Sequence, residues 1–290
     1  MNLGEAQITQ GSFTGMKSNS QPDILLSAQI SVRYGNRPPV LRDVSLEIRG
    51  GEVLGLVGQS GSGKSTLAMA ILGLLDRKSV RTEGKIEFNG SDLLALRERE
   101  LRGLRGRKIA LVLQSPLSSL NPALKIRTQL REAWRAHATG SGADCEGTIR
   151  EALQSVSLPS DEEFLRKYPG QMSVGQAQRV LIAMAVMHRP ALLIADEATS
   201  ALDVITQSEI LSLFRELNRN FGMAILYISH DLASVAGICD RIAILHQGEI
   251  VETGMTEQVL TSPRHEYTQR LMAAMPKMPQ RIAAGKAAAI

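Results

Sequence analysis

The chain has 290 residues, 43% hydrophobic and 21% charged. That length can bury a full α/β core, and the composition excludes a disordered or collagen-like protein. Cys145 and Cys239 are solitary and far apart, which argues against a disulfide framework or a cysteine-based metal site. The formal charge of +4 comes from scattered basic residues, so a solvated surface rather than a nucleic-acid footprint is expected.

Residues 1–24 are rich in Gly, Ser, Gln and Asn and are expected to form a loose N-terminal extension. They lack the apolar core of a secretory signal, and runs such as Met223–Ile228 fall far short of the roughly 20 residues that cross a bilayer. An intracellular chain without a membrane span is therefore expected.

Apolar, β-rich runs follow at Glu52–Gly58, Lys108–Gln114, Ala191–Glu197, Met223–His230 and Arg241–Leu245, alternating with helical patterns. Continuous runs of this length fit parallel strands covered on both faces, so the reading is α/β with a three-layer sheet. Arg97, Arg99, Arg102, Arg105, Arg107 and Lys108 alternate with leucines at helical spacing and read as the solvated face of an amphipathic helix. About 75 residues between the second and third strands show no strong strand signal. They hold helical stretches at Thr128–His137 and Ile149–Val156, broken by Gly140–Gly142 and Pro159, and are expected to form an inserted helical subdomain, about 115–187. A short helix at Tyr267–Ala274 precedes a frayed Ala-rich end. No internal repeat is visible, which excludes a tandem of two nucleotide-binding units within these residues.

The first of these strands runs into GQSGSGKST, Gly58–Thr66, and then a helical run at Leu67–Leu75. A strand, this glycine-rich turn and a helix together make a phosphate cradle. Gly58, Gly61 and Gly63 let the backbone amides of the loop, with Ser60, Ser62 and Thr66, curl around the β-phosphate. Lys64 reaches the β- and γ-phosphates and Ser65 can coordinate Mg²⁺. The strand ALLIADE ends in two adjacent acids, a costly place for charge unless a cation or a reaction uses it. Asp196 takes the Mg²⁺-organising role and Glu197 the polarisation of the attacking water.

These motifs resemble those of the ATP-binding cassette (ABC) ATPases, and further motifs follow in that family's order. Tyr34 in VRYG resembles the aromatic that stacks on adenine, and Gln114 the glutamine that meets Mg²⁺ and water. MSVGQ resembles the signature motif, so Ser173, Val174, Gly175 and Gln176 are expected to act on ATP held by an opposite subunit. Ser200, Ala201, Leu202 and Asp203 resemble the loop that crosses the same interface, and His230 in YISHD the switch histidine that holds the γ-phosphate and Glu197 in register. Val174 stands where the family usually has glycine, which requires ordinary backbone angles there. Ala198 replaces a frequent proline.

The resemblance spans about residues 25–275 and implies a phosphate-loop NTPase core of RecA-like type, an antiparallel β-subdomain and the helical signature subdomain. It also implies a nucleotide-binding domain over 25–260 and a C-terminal extension over 261–290. LQSPLSSLNP, YPGQMS, RVLIAMAVMHRPALLIADEATSALDV and SPRHEYTQRLMAAMP are similar to ATPase subunits of dipeptide, oligopeptide and nickel importers. The cysteine cluster frequent in the peptide branch is absent, and Ser115 and Glu266 depart from it, which keeps nickel or another small solute open as cargo.

The resemblance implies ATP and Mg²⁺, a second ABC ATPase subunit, two permease subunits and, indirectly, an extracytoplasmic solute-binding protein. No nucleic acid is among the expected partners, and the expected location is peripheral, on the cytoplasmic face of the inner membrane. Two rival readings are a non-transport ABC ATPase acting on nucleic acid and a nucleotide-binding regulatory subunit with little turnover.

Overall fold

The computed structural model describes residues 23–138 and 140–274. The expected loose segment and frayed end fall largely outside that range.

Two sheets carry the fold. β1 (Ile24–Tyr34), β2 (Leu41–Arg49), β4 (Val80–Phe88) and β5 (Ser91–Asp92) form an antiparallel sheet in the order β2-β1-β4-β5, while β3 (Val53–Val57) lies in the larger sheet. That sheet runs β10-β9-β3-β8-β7-β6, with β6 (Ile109–Val112), β7 (Leu192–Asp196), β8 (Ala224–Ser229), β9 (Arg241–His246) and β10 (Glu249–Met255). Its β6, β7, β8, β3 and β9 are parallel, and β10 returns antiparallel along β9.

Period-2 alternation explains why these strands read as unbroken apolar runs. Val53, Val57, Leu193, Ala195, Ile225, Tyr227, Ile242 and Ile244 face one core. Leu54, Leu56, Leu192, Ile194, Leu226, Ile228, Ala243 and Leu245 face the other. The second core is closed by α1 (Lys64–Ile71) and by the antiparallel sheet through Leu26, Ile30 and Val32. On the first side lie α8 (Val204–Phe221), α9 (Leu232–Ile238) and a run of helices between β6 and β7. Each fully buried Leu or Ile contributes roughly 1.5–3 kcal/mol by leaving water, which makes this two-sided sheet the rigid platform of the molecule.

α2 (Glu98–Leu104) lies just before β6, and α3 (Pro116–Ser119), α4 (Ile126–Arg135), α5 (Gly142–Ser155), α6 (Glu162–Leu165), a 3-10 turn at Pro169–Gln171 and α7 (Val174–Val186) fill the interval between β6 and β7. α5 begins well before the expected Ile149. Ser141 accepts from the Asp144 amide at 3.3 Å while the Asp144 carboxylate accepts from the Ser141 amide at 2.7 Å, and this reciprocal cap starts the helix at Gly142.

The basic stretch also needs one correction. Leu101 buries the apolar face of α2, and Arg97, Arg99 and Arg102 are solvated, but Arg105 turns inward. It donates to the carbonyls of Leu72 at 2.7 Å and Gly73 at 2.8 Å, satisfying the C-terminal end of α1. Beyond β10 come α10 (Thr256–Thr261) and α11 (Glu266–Ala273), the latter tied down by Tyr267, whose ring stacks on His246 at 3.7 Å between centroids.

Candidate functional site

Parallel strands deliver their carboxyl ends to one edge, and ligands of open α/β sheets bind outside that edge. Val57 is in register with Ser229, Asp196 with Ile228, and Val112 with Ala195. The segments that leave these strands therefore start side by side: the loop at 58, the acids at 196 and 197, the histidine at 230 and the glutamine at 114.

The loop after β3 is shaped by close approach. A Cβ on Gly58 would fall 2.3 Å from the Leu245 carbonyl oxygen, so only glycine lets β3 turn there. Gly63 holds φ +110, the left-handed region that glycine adopts without strain. It caps α1 without a side chain, and no acidic residue stands in the first turn, which leaves the helix N-terminus open to an anion. Ser60, Gly61 and Ser65 are exposed, Thr66 is half-buried, and Ser62 is buried with a hydroxyl that has no partner among the described residues.

Lys64 bends over this loop. Its ammonium donates to the carbonyls of Gly58 at 2.8 Å and Gln59 at 3.1 Å and stands 3.9 Å from Glu197 Oε1. Burial pushes the ammonium below its ordinary pKa, while Glu197 and then Asp196 pull it back up. Asp196 is 7% exposed, and burial pushes its carboxyl up, opposed by the Ser65 hydroxyl and Lys64 and reinforced by Glu197. Its Oδ1 is buried with no hydrogen-bond partner among the described residues. An orphaned, desolvated carboxylate oxygen beside a serine hydroxyl is a donor set that suits a hard divalent cation.

Glu197 sits at φ 49, a strained angle for a non-glycine residue, with its amide donating to the Ile228 carbonyl at 2.9 Å. That turn aims the carboxylate at both Lys64 and His230, whose Nδ1 lies 3.3 Å from Glu197 Oε1. Lys64, Asp196, Glu197 and His230 thus meet. Gln114 is exposed two residues beyond β6. Tyr34 ends β1, half-buried against the second core.

The signature residues lie at the start of α7. Ser173 accepts from the Gln176 amide at 3.1 Å, and Gln176 Oε1 accepts from the Ser173 amide at 3.2 Å, a capping box. Ser173 and Val174 are exposed, and Val174 keeps ordinary helical angles as the first residue of α7. Leu202 packs against the first core and Ala201 is exposed. Ser200 donates to the Glu197 carbonyl at 3.0 Å. Asp203 caps α8, accepting from Ile205 at 3.1 Å and Thr206 at 3.0 Å.

Sequence analysis passes over Thr199, Tyr227, Ser229 and Ser234, whose hydroxyls meet close in the chain to Glu197 and His230. Gln178 is likewise passed over, although its fully buried amide has no partner among the described residues. A signal was available only for Tyr227 and Ser229, as polar residues interrupting the otherwise apolar end of β8.

A family profile described as ABC transporter matches residues 41–200. The chain is 42% identical over 255 residues to the dipeptide transport ATP-binding protein DppD of Escherichia coli, covering 87% of this chain and 78% of that protein. It is 45% identical over 265 residues to the peptidoglycan transport ATP-binding protein YejF of Agrobacterium fabrum, covering 90% of this chain. The chain spans about half the length of YejF, 48%. Among solved structures, the dimeric post-hydrolysis ATP-binding cassette MJ0796 bound to ADP and Pi matches with a TM-score of 0.68 and 28% identity, over 80% of this chain and 98% of that one. The cbiO1 protein of Clostridium perfringens, part of the transporter complex cbiONQ, matches with a TM-score of 0.72 and 25% identity, over 88% and 96%. With the profile, the sequence relatives and the solved cassettes in agreement over the segment that carries Lys64, Ser173 and Glu197, this chain belongs to the ABC transporter family of ATP-binding cassettes.

Proposed function

We propose that the chain is an ATP-hydrolysing subunit that energises import of a small solute, with di- or oligopeptides as the cargo class. The observation that carries the ATPase reading is the meeting of Lys64, Glu197 and His230 at one sheet edge, with separations of 3.9 Å and 3.3 Å around a single carboxylate oxygen. The cargo class follows from DppD and YejF, whose names are those of dipeptide and peptidoglycan transport proteins.

In this reading the amides of Gly58–Thr66 and the ammonium of Lys64 bind the β- and γ-phosphates, exchanging the carbonyls of Gly58 and Gln59 for phosphate oxygens. Tyr34 stacks on the adenine. Ser65, Asp196 and Gln114 hold Mg²⁺, which when bound neutralises phosphate charge. Glu197 Oε1 orients the attacking water and takes its proton, and His230 holds that carboxylate in place.

The exposed Ser173 and Val174 and the half-buried Gly175 and Gln176, with the loop Ser200–Asp203, complete the ATP site of a second subunit. Support comes from the exposure of Ser173, Val174, Ser200, Ala201 and Asp203 and from the dimeric state of the MJ0796 cassette. Residues 25–260 form the nucleotide-binding domain, with the helical subdomain at about 115–187 and the extensions 1–24 and 261–290. Two permease subunits and an extracytoplasmic solute-binding protein complete the assembly at the cytoplasmic face of the membrane. Among the described residues, no helix is long and apolar enough to cross a membrane.

Glu197→Gln tests the chemistry: the variant binds ATP but turns over at least about a hundredfold more slowly, as when a general base is lost. Near-normal turnover refutes the assignment. Hydrolysis by the chain purified with its membrane partners, measured with peptides, nickel or nucleic acid added, tests the cargo. Stimulation by peptides is expected, and stimulation by nucleic acid overturns the transport reading.

A further inference from the structure

Thr199, Tyr227, Ser229 and Ser234 are 2%, 0%, 5% and 4% exposed, a polar cluster inside an apolar layer. Thr199 Oγ1 lies 2.8 Å from the Tyr227 phenol oxygen, which donates to Ser234 Oγ at 3.2 Å. Ser234 Oγ donates to the Asp231 carbonyl at 2.7 Å. Ser229 Oγ stands 3.3 Å from Ser234 Oγ and accepts from the Asp231 amide at 3.0 Å.

Each hydroxyl has one proton, and that fixes the direction of donation. Ser234 spends its proton on Asp231 and Tyr227 spends its own on Ser234, so Thr199 must donate to Tyr227 and Ser229 to Ser234. All four of these hydroxyls are thereby partnered and none of their protons is left over. Burial raises the phenol above its ordinary pKa, which keeps it a donor.

The two ends of this chain are what give it meaning. Thr199 lies two residues past Glu197, while Ser229 and Asp231 flank His230, and Glu197 and His230 are themselves 3.3 Å apart. A second link, Gln207 Nε2 donating to Asp231 Oδ2 at 3.1 Å, joins α8 to the same loop. A buried polar cluster costs stability unless every member is satisfied, and a phenylalanine would fill the same space at position 227. The phenol lies where it ties the loop of the water-orienting carboxylate to the loop of the histidine.

We propose that Tyr227, with Thr199 as its donor, is a positioning residue for hydrolysis that holds Glu197 and His230 in one register. The proposal rests on the ATPase reading above.

The test uses the full chain and the variants Tyr227→Phe, Thr199→Val, their double variant and Thr199→Ser. Turnover, KM, binding of a fluorescent ATP analogue and the thermal midpoint are measured for each. Tyr227→Phe and Thr199→Val each lower kcat by about tenfold to a hundredfold while KM stays within about twofold, as when geometry rather than binding is lost. The double variant is no slower than the slower single one, because the two groups act as a unit, and Thr199→Ser keeps turnover.

Unchanged kcat in a folded Tyr227→Phe protein overturns the proposal. So does a loss of kcat that only follows a rise in KM or a loss of folded protein. Failure of the unmodified chain to hydrolyse ATP, with no difference from Glu197→Gln, removes the ATPase reading itself, whereas active wild type with an indifferent Tyr227→Phe removes the positioning role alone.

Discussion

Gly175 and Thr206 share one space: a Cβ built on Gly175 would lie 2.8 Å from the Thr206 γ-methyl. Thr206 cannot swing away freely, because its hydroxyl donates to Asp203 Oδ2 at 2.7 Å. The turn that begins α7 is thereby seated on the first turn of α8.

Gly175→Ala should destabilise the chain by about 1–3 kcal/mol, the usual cost of overpacking. Adding Thr206→Ser, which removes the methyl and keeps the hydroxyl bond to Asp203, should restore most of it. Denaturant unfolding of the single and double variants checks this. An equal loss in both would mean that the contact does not limit packing there.

Ser173 has two roles that one substitution separates. Aspartate caps a helix about as well as serine, so Ser173→Asp should keep stability within about 0.5 kcal/mol. It also places a negative charge where a partner's γ-phosphate is proposed to sit, so ATP-driven dimerisation and turnover should be lost. Light scattering with ATP on a Glu197→Gln background reads the dimer, and normal dimerisation would remove Ser173 from the interface.

The charge of Asp196 is a cost to the nucleotide-free fold. Its folded-state pKa lies above the unfolded value, so the folded chain holds this proton more tightly. The resulting stability is fully present below the ordinary carboxylate range and is lost as pH rises through the raised folded value. Asp196→Asn cannot ionise, and at neutral pH it should gain about 1 kcal/mol in the absence of nucleotide, as when a strained functional group is relieved. The same variant should lose its stabilisation by Mg-ATP. Thermal midpoints against pH, with and without Mg-ATP, decide the point, and a nucleotide-free profile identical to wild type would contradict it.

Both thiols should be inert in the folded chain. Cys145 and Cys239 are each 4% exposed, and burial pushes both thiols up, away from the reactive thiolate. Iodoacetamide should label neither under native conditions and both in denaturant. Cys239 also lines a gap reserved by Gly55, where a Cβ would meet Val235 Cγ1 at 2.6 Å and Cys239 Sγ at 2.9 Å. Gly55→Ala should therefore cost about 2 kcal/mol, read by denaturant unfolding. Fast native labelling would show that α9 opens.

The five strands read from apolar runs, beginning at Glu52, Lys108, Ala191, Met223 and Arg241, are all strands of the larger sheet, trimmed by a residue or two at most ends. They were legible because both faces of that sheet are covered, which removes the polar alternation that blurs other strands. Helix starts were less legible. The start of α5 depends on the Ser141–Asp144 pair, a local hydrogen-bond exchange that apolar periodicity does not encode. Arg105 was misread with its neighbours because spacing puts it on a basic face, while its partners, Leu72 and Gly73, lie 33 and 32 residues away in the chain.

The glycine pattern at 58–63, the lysine at 64, the paired acids at 196 and 197 and the polar start of α7 are local features, and the sequence alone determined them because each depends on a few consecutive residues. Their convergence is a different matter. Lys64 and His230 are each brought within 4 Å of the Glu197 carboxylate only by the register of β3, β7 and β8. The donation from Thr199 through Tyr227 to Ser234 likewise exists only once two strand ends and a helix are packed. Strand register is set by burial of side chains on both faces at once, and that is a property of the folded chain rather than of any one segment.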